Sequence, residues 1–199
     1  MLSRVNEGTK TFLVTQNGRF KRTFIALRMC IDSFDFTTRI VGLDACHIKA
    51  SYGGAVLVMT VLDGNGQVFP SSIAIAESEN QETWSWYLSL FKSSFHIGNG
   101  ENIVFLSDRE QGIDHAVSQF FPAAAHSHCV YHIQKNVKVA FHTDLNGLLF
   151  QAAKAMNEVE FNDVIQRICQ INDGAGDYIK TSMENDGHAL SSLIGVVVM

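Results

Sequence analysis

Apolar residues in the middle of the chain come in short runs broken by turn residues, a pattern of strands rather than helices. Such runs occupy 40–44, 55–62 and 68–76. Between the second and third lies Asp63-Gly64-Asn65-Gly66, whose Asn-Gly pair supplies the positive φ angles of a tight hairpin. Tyr52-Gly53-Gly54 marks the preceding reversal, so the three runs predict an antiparallel meander. Over 79–95 the period changes, and Trp84, Tyr87, Leu88, Phe91 and Phe95 fall on one face of an amphipathic helix. A fourth strand follows at 102–107; returning after a helix that packs on the sheet, it most simply runs parallel to the first. A helix over 112–121 stopped by Pro122, a fifth strand over 123–129 and a helix over 131–140 complete the alternation.

The two ends read differently. Residues 145–171 are helical in pattern, with Leu148, Leu149, Ala152, Met156, Phe161, Val164, Ile165 and Ile168 facing inward. Residues 1–38 carry mixed signals, and Phe20, Phe24, Ile25, Leu27 and Met29 suggest a short helix docking on something larger. The expected organisation is a lead-in segment over 1–38, an α/β core over 39–142 with a mixed five-stranded sheet flanked by helices, and a helical extension over 143–199.

Composition narrows the classes. With 18% charged residues and a net charge of -5, any contact with nucleic acid must be a local basic face rather than a general attraction. No cleavable signal is expected at Met1-Leu2-Ser3-Arg4, and the apolar stretch 193–199 is too short to cross a bilayer. Cys30, Cys46, Cys129 and Cys169 are scattered without a framework, as reduced thiols in an intracellular protein would be.

Against that background two aspartates stand out. Asp44 closes the run 40–44, and Asp108 follows the run 103–107. A carboxylate beside buried strand residues loses hydration at a cost of several kcal/mol (roughly) unless a partner or cation compensates. Either one alone could be a turn or helix-cap residue. Two at the ends of strands expected to be parallel suit a divalent-cation site, and Lys49 and Arg109, close to them in sequence, suit either phosphate contact or ion pairing with these same carboxylates.

The order of elements resembles the ribonuclease H-like fold, and the residues resemble the Mutator-like transposases. The resemblance runs from Gly18-Arg19-Phe20-Lys21-Arg22 through Leu43-Asp44-Ala45-Cys46-His47-Ile48-Lys49, Tyr52-Gly53-Gly54, Asp63-Gly64-Asn65-Gly66, Phe69-Pro70, Glu77, Glu79-Asn80 and Trp84-Ser85-Trp86-Tyr87-Leu88. It continues with Ser107-Asp108-Arg109, Gly112, Phe121-Pro122, His126, Cys129, His132 and Asn136, and covers roughly residues 18–171. It implies that Asp44 and Asp108 are the first two members of an Asp-Asp-Glu set holding Mg²⁺ or Mn²⁺, that the reaction is DNA strand cleavage and joining, that transposon ends and target DNA are the partners, and that the work is nuclear. Homo-oligomer formation is left open.

The resemblance has gaps. No glutamate after His132 stands in the family's context; Glu158, Glu160 and Glu184 are the candidates. The chain is therefore expected to be truncated or divergent at its end, and a degenerate or domesticated copy that binds DNA or protein without cutting is the alternative. The motif His126, Cys129, His132 raises zinc, but a structural zinc site needs four ligands and no second pair stands at finger spacing. The plainer reading makes Cys129 a small buried hydrophobe and His132 an early helix residue with a satisfied hydrogen bond. Trp84 and Trp86 lie on different faces of their helix, with Trp84 assigned to the core.

Overall fold

A computed structural model describes residues 2–108 and 111–184. In chain order the elements are α1 (Leu2–Val5), β1 (Lys10–Gln16), β2 (Arg19–Ala26), α2 (Arg28–Ser33), a 3₁₀ turn (Phe34–Phe36), β3 (Ile40–His47), β4 (Ala55–Leu62), β5 (Val68–Ala76), α3 (Gln81–Ser94), β6 (Val104–Ser107), α4 (Gln111–Phe120), β7 (Ala125–His128), α5 (Val130–Phe141), α6 (Asn146–Ala153), α7 (Glu158–Ile171) and α8 (Asp173–Glu184). The chain divides into two compact units, one through His126 and one from Ser127. Helix α5 thus groups with the helices that follow it.

The strands form one mixed sheet in the order β1-β2-β5-β4-β3-β6-β7. The sheet has seven strands, not five. The two extra ones come from the lead-in segment, where a helix was expected and a hairpin is found. Asn17 and Gly18 sit at φ 53° and 72° between β1 and β2, the paired positive angles of a two-residue hairpin turn. Strand β2 then pairs antiparallel with β5 through Thr23↔Ile75 and Ile25↔Ile73. The helical spacing of Phe20, Phe24 and Leu27 was coincidental: Arg22, Phe24 and Ala26 alternate inward, as a strand requires.

The expected meander is present, with β3 against β4 and β4 against β5, both antiparallel. Its second turn differs in kind from the expectation. Asn65 is not among the positive-φ residues, whereas Gly66 is, at 79°. The Gly66 N–H donates to the Asp63 carbonyl at 3.0 Å, and the Asp63 carboxylate accepts from the N–H groups of Asn65 and Gln67. This is a longer loop ending in a left-handed glycine, organised by an aspartate side chain rather than by two left-handed residues.

The sheet is two-faced. On one face Val41, Leu43, Leu57, Met59, Val61, Ala74, Phe24 and Phe105 are buried, and they share one cluster with Trp84, Tyr87, Leu88 and Phe91 of α3 and Ile113, Ala116 and Val117 of α4. Asn80 caps α3 by accepting from the Thr83 N–H at 3.0 Å. The fully buried Tyr87 donates to the Ser72 carbonyl at 2.8 Å, tying α3 to β5. The other face, read through the pairs Asp44↔Val58, Val58↔Ile73 and Ile73↔Ile25, is half-buried or exposed along its length. The second unit holds its own core of Ile133, Val137, Leu149, Val164, Ile165, Ile168 and Ile179. Its helical character was expected over 145–171, but the pattern breaks into α6 and α7, and α8 extends beyond it.

One charged group lies inside the first unit. Arg22, 3% exposed, bonds Glu77 through both nitrogens of its fork and donates to Glu82 at 2.8 Å. Its guanidinium lies 5.4 Å from the ring centre of Trp86. Trp84 is fully buried as expected, and Trp86 meets a cation. Burial pushes the Glu77 carboxyl up, but the Arg22 hydrogen bonds and the Arg22 and Lys21 charges outweigh it and hold it below its ordinary value of 4.5. Glu82 is lowered by hydrogen bonds from Arg22 and Lys21.

Two predictions follow from these contacts. A carboxylate whose folded value is depressed adds stability that is fully present above its ordinary value of 4.5 and is lost as pH falls through the lower folded value. Denaturant unfolding across a pH series should therefore show an acid limb below 4.5 that is shallower in Arg22→Met, with that variant less stable at neutral pH by about 1–3 kcal/mol; an unchanged limb would remove Arg22 from the account. The second concerns Gly112, where an added Cβ would lie 2.8 Å from the Gln81 backbone nitrogen. Gly112→Ala should lower stability by about 1–3 kcal/mol in a thermal melt, while Gly64→Ala, with open space around it, should stay within about 0.5 kcal/mol of wild type.

Candidate functional site

The site begins with a parallel pairing. β3 and β6 lie side by side in the register Ile40↔Val104, Val41↔Phe105, Gly42↔Leu106. Asp44 and Asp108 each stand two residues past the last of these pairs; Asp44, still within β3, points to the face of Gly42, and Asp108 follows the end of β6 at the same end of the neighbouring strand. The face of Gly42 is the one without the α3 and α4 core. The expectation that the two aspartates share one end of neighbouring parallel strands matches this arrangement.

Asp44 is exposed and still within β3, opposite Val58. Its Oδ1 accepts from the Ala45 N–H at 2.8 Å, which orients the carboxylate. Asp108 is half-buried and lies just past β6, where the ladder has ended. Its backbone carbonyl accepts from the Ser107 hydroxyl at 2.6 Å. Gly42 makes room on the shared face: a Cβ there would sit 2.5 Å from the Thr60 hydroxyl oxygen.

The other residues singled out from the sequence scatter. Lys49 is exposed in the loop after β3. Arg109 lies outside the described residues. His126 belongs to the first unit, its Nε2 2.9 Å from Ser107 Oγ and its Nδ1 3.5 Å from the Asp114 carboxylate. Cys129 and His132 belong to the second, where Cys129 stands at the N-cap of α5 and its carbonyl accepts from the His132 N–H at 3.0 Å. The buried Nδ1 of His132 has no hydrogen-bond partner among the described residues, contrary to the expectation that its bonds are satisfied. All four cysteines are free.

The candidates for a third carboxylate have local roles where they are described. Glu160 accepts from the Met156 N–H at 2.9 Å while Asn157 accepts from the Glu160 N–H at 2.9 Å, a reciprocal cap at the start of α7. Glu158 occupies the same first turn, where a negative charge meets the positive end of the helix. The side chain of Glu184 lies outside what is described. Among the described residues, the one group of three or more His, Cys, Asp or Glu side chains close enough to share an ion is Cys169, Asp173 and Asp177, at the turn from α7 to α8; its two aspartates are exposed, its cysteine is half-buried, and it includes none of the expected site residues.

Two features escaped the sequence reading. Arg22 carries no sign of burial in a run as polar as Gly18 to Arg22; only the later acidic residues Glu77 and Glu82 hint at partners. The Ser107, His126 and Asp114 contacts join residues from three elements, which no local spacing exposes.

Residues 40–136 match the family described as MULE transposase domain. No curated protein matches the chain. No helix among the described residues is long and apolar enough to cross a membrane.

The cap assigned to Glu160 can be tested directly. Glu160→Ala should lower stability by about 0.5–1 kcal/mol through the start of α7 and leave Mn²⁺ affinity at its wild-type value in calorimetry; a loss of ion binding would make Glu160 a ligand instead.

Proposed function

Since this protein is related to the Mutator-like transposases through residues 40–136, we propose that its first unit is a ribonuclease H-like core in which Asp44 and Asp108 hold Mg²⁺ or Mn²⁺ for DNA strand cleavage and joining. Five of the strands support the fold assignment: β5-β4-β3-β6-β7 carry the order 3-2-1-4-5 when counted from β3, with one parallel pair at the centre. The observation that supports the functional reading is the parallel register ending at Gly42↔Leu106, two residues beyond which Asp44 and Asp108 stand at adjacent strand ends.

The residues present fit such an ion. Two carboxylates offer hard oxygen donors on a solvent-facing surface, the chemistry that Mg²⁺ and Mn²⁺ require. Bound there, the cation would polarise a phosphodiester and favour a hydroxide-like nucleophile. The protein's own part is positioning. Asp44 is oriented by the Ala45 N–H, and Asp108 by the peptide that Ser107 holds. Lys49, exposed past the end of β3, suits attraction of the DNA backbone. The protein would meet its DNA in the nucleus.

A second reading, a DNA- or protein-binding module without catalysis, is favoured by one observation: no third carboxylate joins Asp44 and Asp108 in a group of three among the described residues. An error of about 1 Å in positioning can cost about a hundredfold in rate, and an absent ligand costs more.

Calorimetry with Mn²⁺ tests the site. Weak binding is expected, lost in Asp108→Asn; binding unchanged in that variant would place the ion elsewhere. For activity, the second reading predicts that the purified chain nicks supercoiled DNA in Mn²⁺ no faster than Asp44→Asn. Robust nicking that disappears in Asp44→Asn would establish catalysis and reject the binding-module reading.

A further inference from the structure

Ser107, His126 and Asp114 form a linked chain beside Asp108, and none of them is a ligand in the proposed site. Ser107 closes β6, His126 lies in β7 and Asp114 in α4. The Ser107 hydroxyl is 2.6 Å from the Asp108 carbonyl oxygen and 2.9 Å from His126 Nε2, and His126 Nδ1 is 3.5 Å from Asp114 Oδ1.

The order serine, histidine, aspartate is that of a hydrolytic triad, but two observations exclude nucleophilic chemistry. Ser107 is only 1% exposed, so its oxygen cannot reach a substrate. Its hydroxyl donates to the Asp108 carbonyl, which can only accept, so its proton is directed away from His126. That is the reverse of a triad, in which the histidine takes the serine proton.

What the chain does hold is a peptide. Asp108 follows the last residue of β6, and the ladder with β3 stops two residues earlier, at Gly42↔Leu106. Past Ser107, where β6 ends, the sheet no longer sets the direction of the backbone. The Ser107 hydroxyl supplies the missing restraint on the Asp108 carbonyl, and His126, itself seated against Asp114, holds the hydroxyl in place. Three elements thus converge on one peptide plane, the one from which the Asp108 side chain departs.

We propose that Ser107, His126 and Asp114 are positioning residues that orient Asp108 as a cation ligand. The proposal rests on the reading of Asp44 and Asp108 as the cation site. Groups that orient a ligand from outside typically change cation affinity by about 10- to 100-fold when removed.

The test measures Mn²⁺ affinity by calorimetry on the full chain, at a temperature where thermal melts show every variant folded. Ser107→Ala and His126→Asn should weaken Mn²⁺ binding about tenfold or more, and Ser107→Thr, which keeps the hydroxyl, should restore it. Asp114→Asn should give a smaller loss in the same direction. A core variant of the second unit, Leu149→Ala, should lower the melting temperature and leave the affinity of the folded protein unchanged. If Ser107→Ala, His126→Asn and Asp114→Asn all bind as wild type while Asp108→Asn does not, the positioning role is overturned and the site stands. If Asp108→Asn also binds as wild type, the site reading fails and the positioning role fails with it.

Discussion

The parallel pairing of β3 with β6 is the constraint on which the rest of this structure depends. The pairings β1–β2, β2–β5, β5–β4 and β4–β3 are antiparallel, and a chain reaches a parallel neighbour only by crossing over the sheet. Here α3 makes the crossing, and its buried face of Trp84, Tyr87, Leu88 and Phe91 is what the crossing packs against the sheet. Burial of each such side chain contributes about 1.5–3 kcal/mol, so the core that stabilises the unit also fixes the register of β6. Through that register it fixes where Asp108 leaves the sheet.

The same arrangement separates stability from chemistry by face. Residues at odd positions of β3, Val41 and Leu43, face the helices and are buried, whereas Gly42 and Asp44 alternate onto the open side. A one-residue slip of β3 would exchange the two sets, placing a carboxylate in the apolar core and an apolar side chain at the site. The core therefore enforces the site's geometry without any contact to it. Within β2, Arg22 is a buried cation tolerated because its fork is filled by carboxylates.

Much of this was legible in the chain. The meander, α3, β6, α4, β7 and α5 follow from runs and periods, and the shared position of the two aspartates follows from counting strands. What was missed has physical causes. Asn17-Gly18 carries the strongest short hairpin signal in the sequence, yet β1 is an edge strand exposed along almost all its length, so it lacks the alternation that identifies a strand. In β2, Ile25 faces the open side, which blurs the same alternation. At Asp63–Gly66 the identical dipeptide sits in a different turn because the Asp63 side chain captures two backbone N–H groups. The Ser107, His126 and Asp114 chain is a tertiary product of β6, β7 and α4 and has no local signature at all.

The central claim is that Asp44 and Asp108 act as one site. Broadening of backbone amide resonances by substoichiometric Mn²⁺ tests it most directly, because paramagnetic relaxation falls off steeply with distance from the ion. The account predicts that signals around Asp44 and Ala45 and those around Ser107 and Asp108 broaden together at the lowest additions. Broadening of one set without the other, or first at Cys169, Asp173 and Asp177, would contradict it.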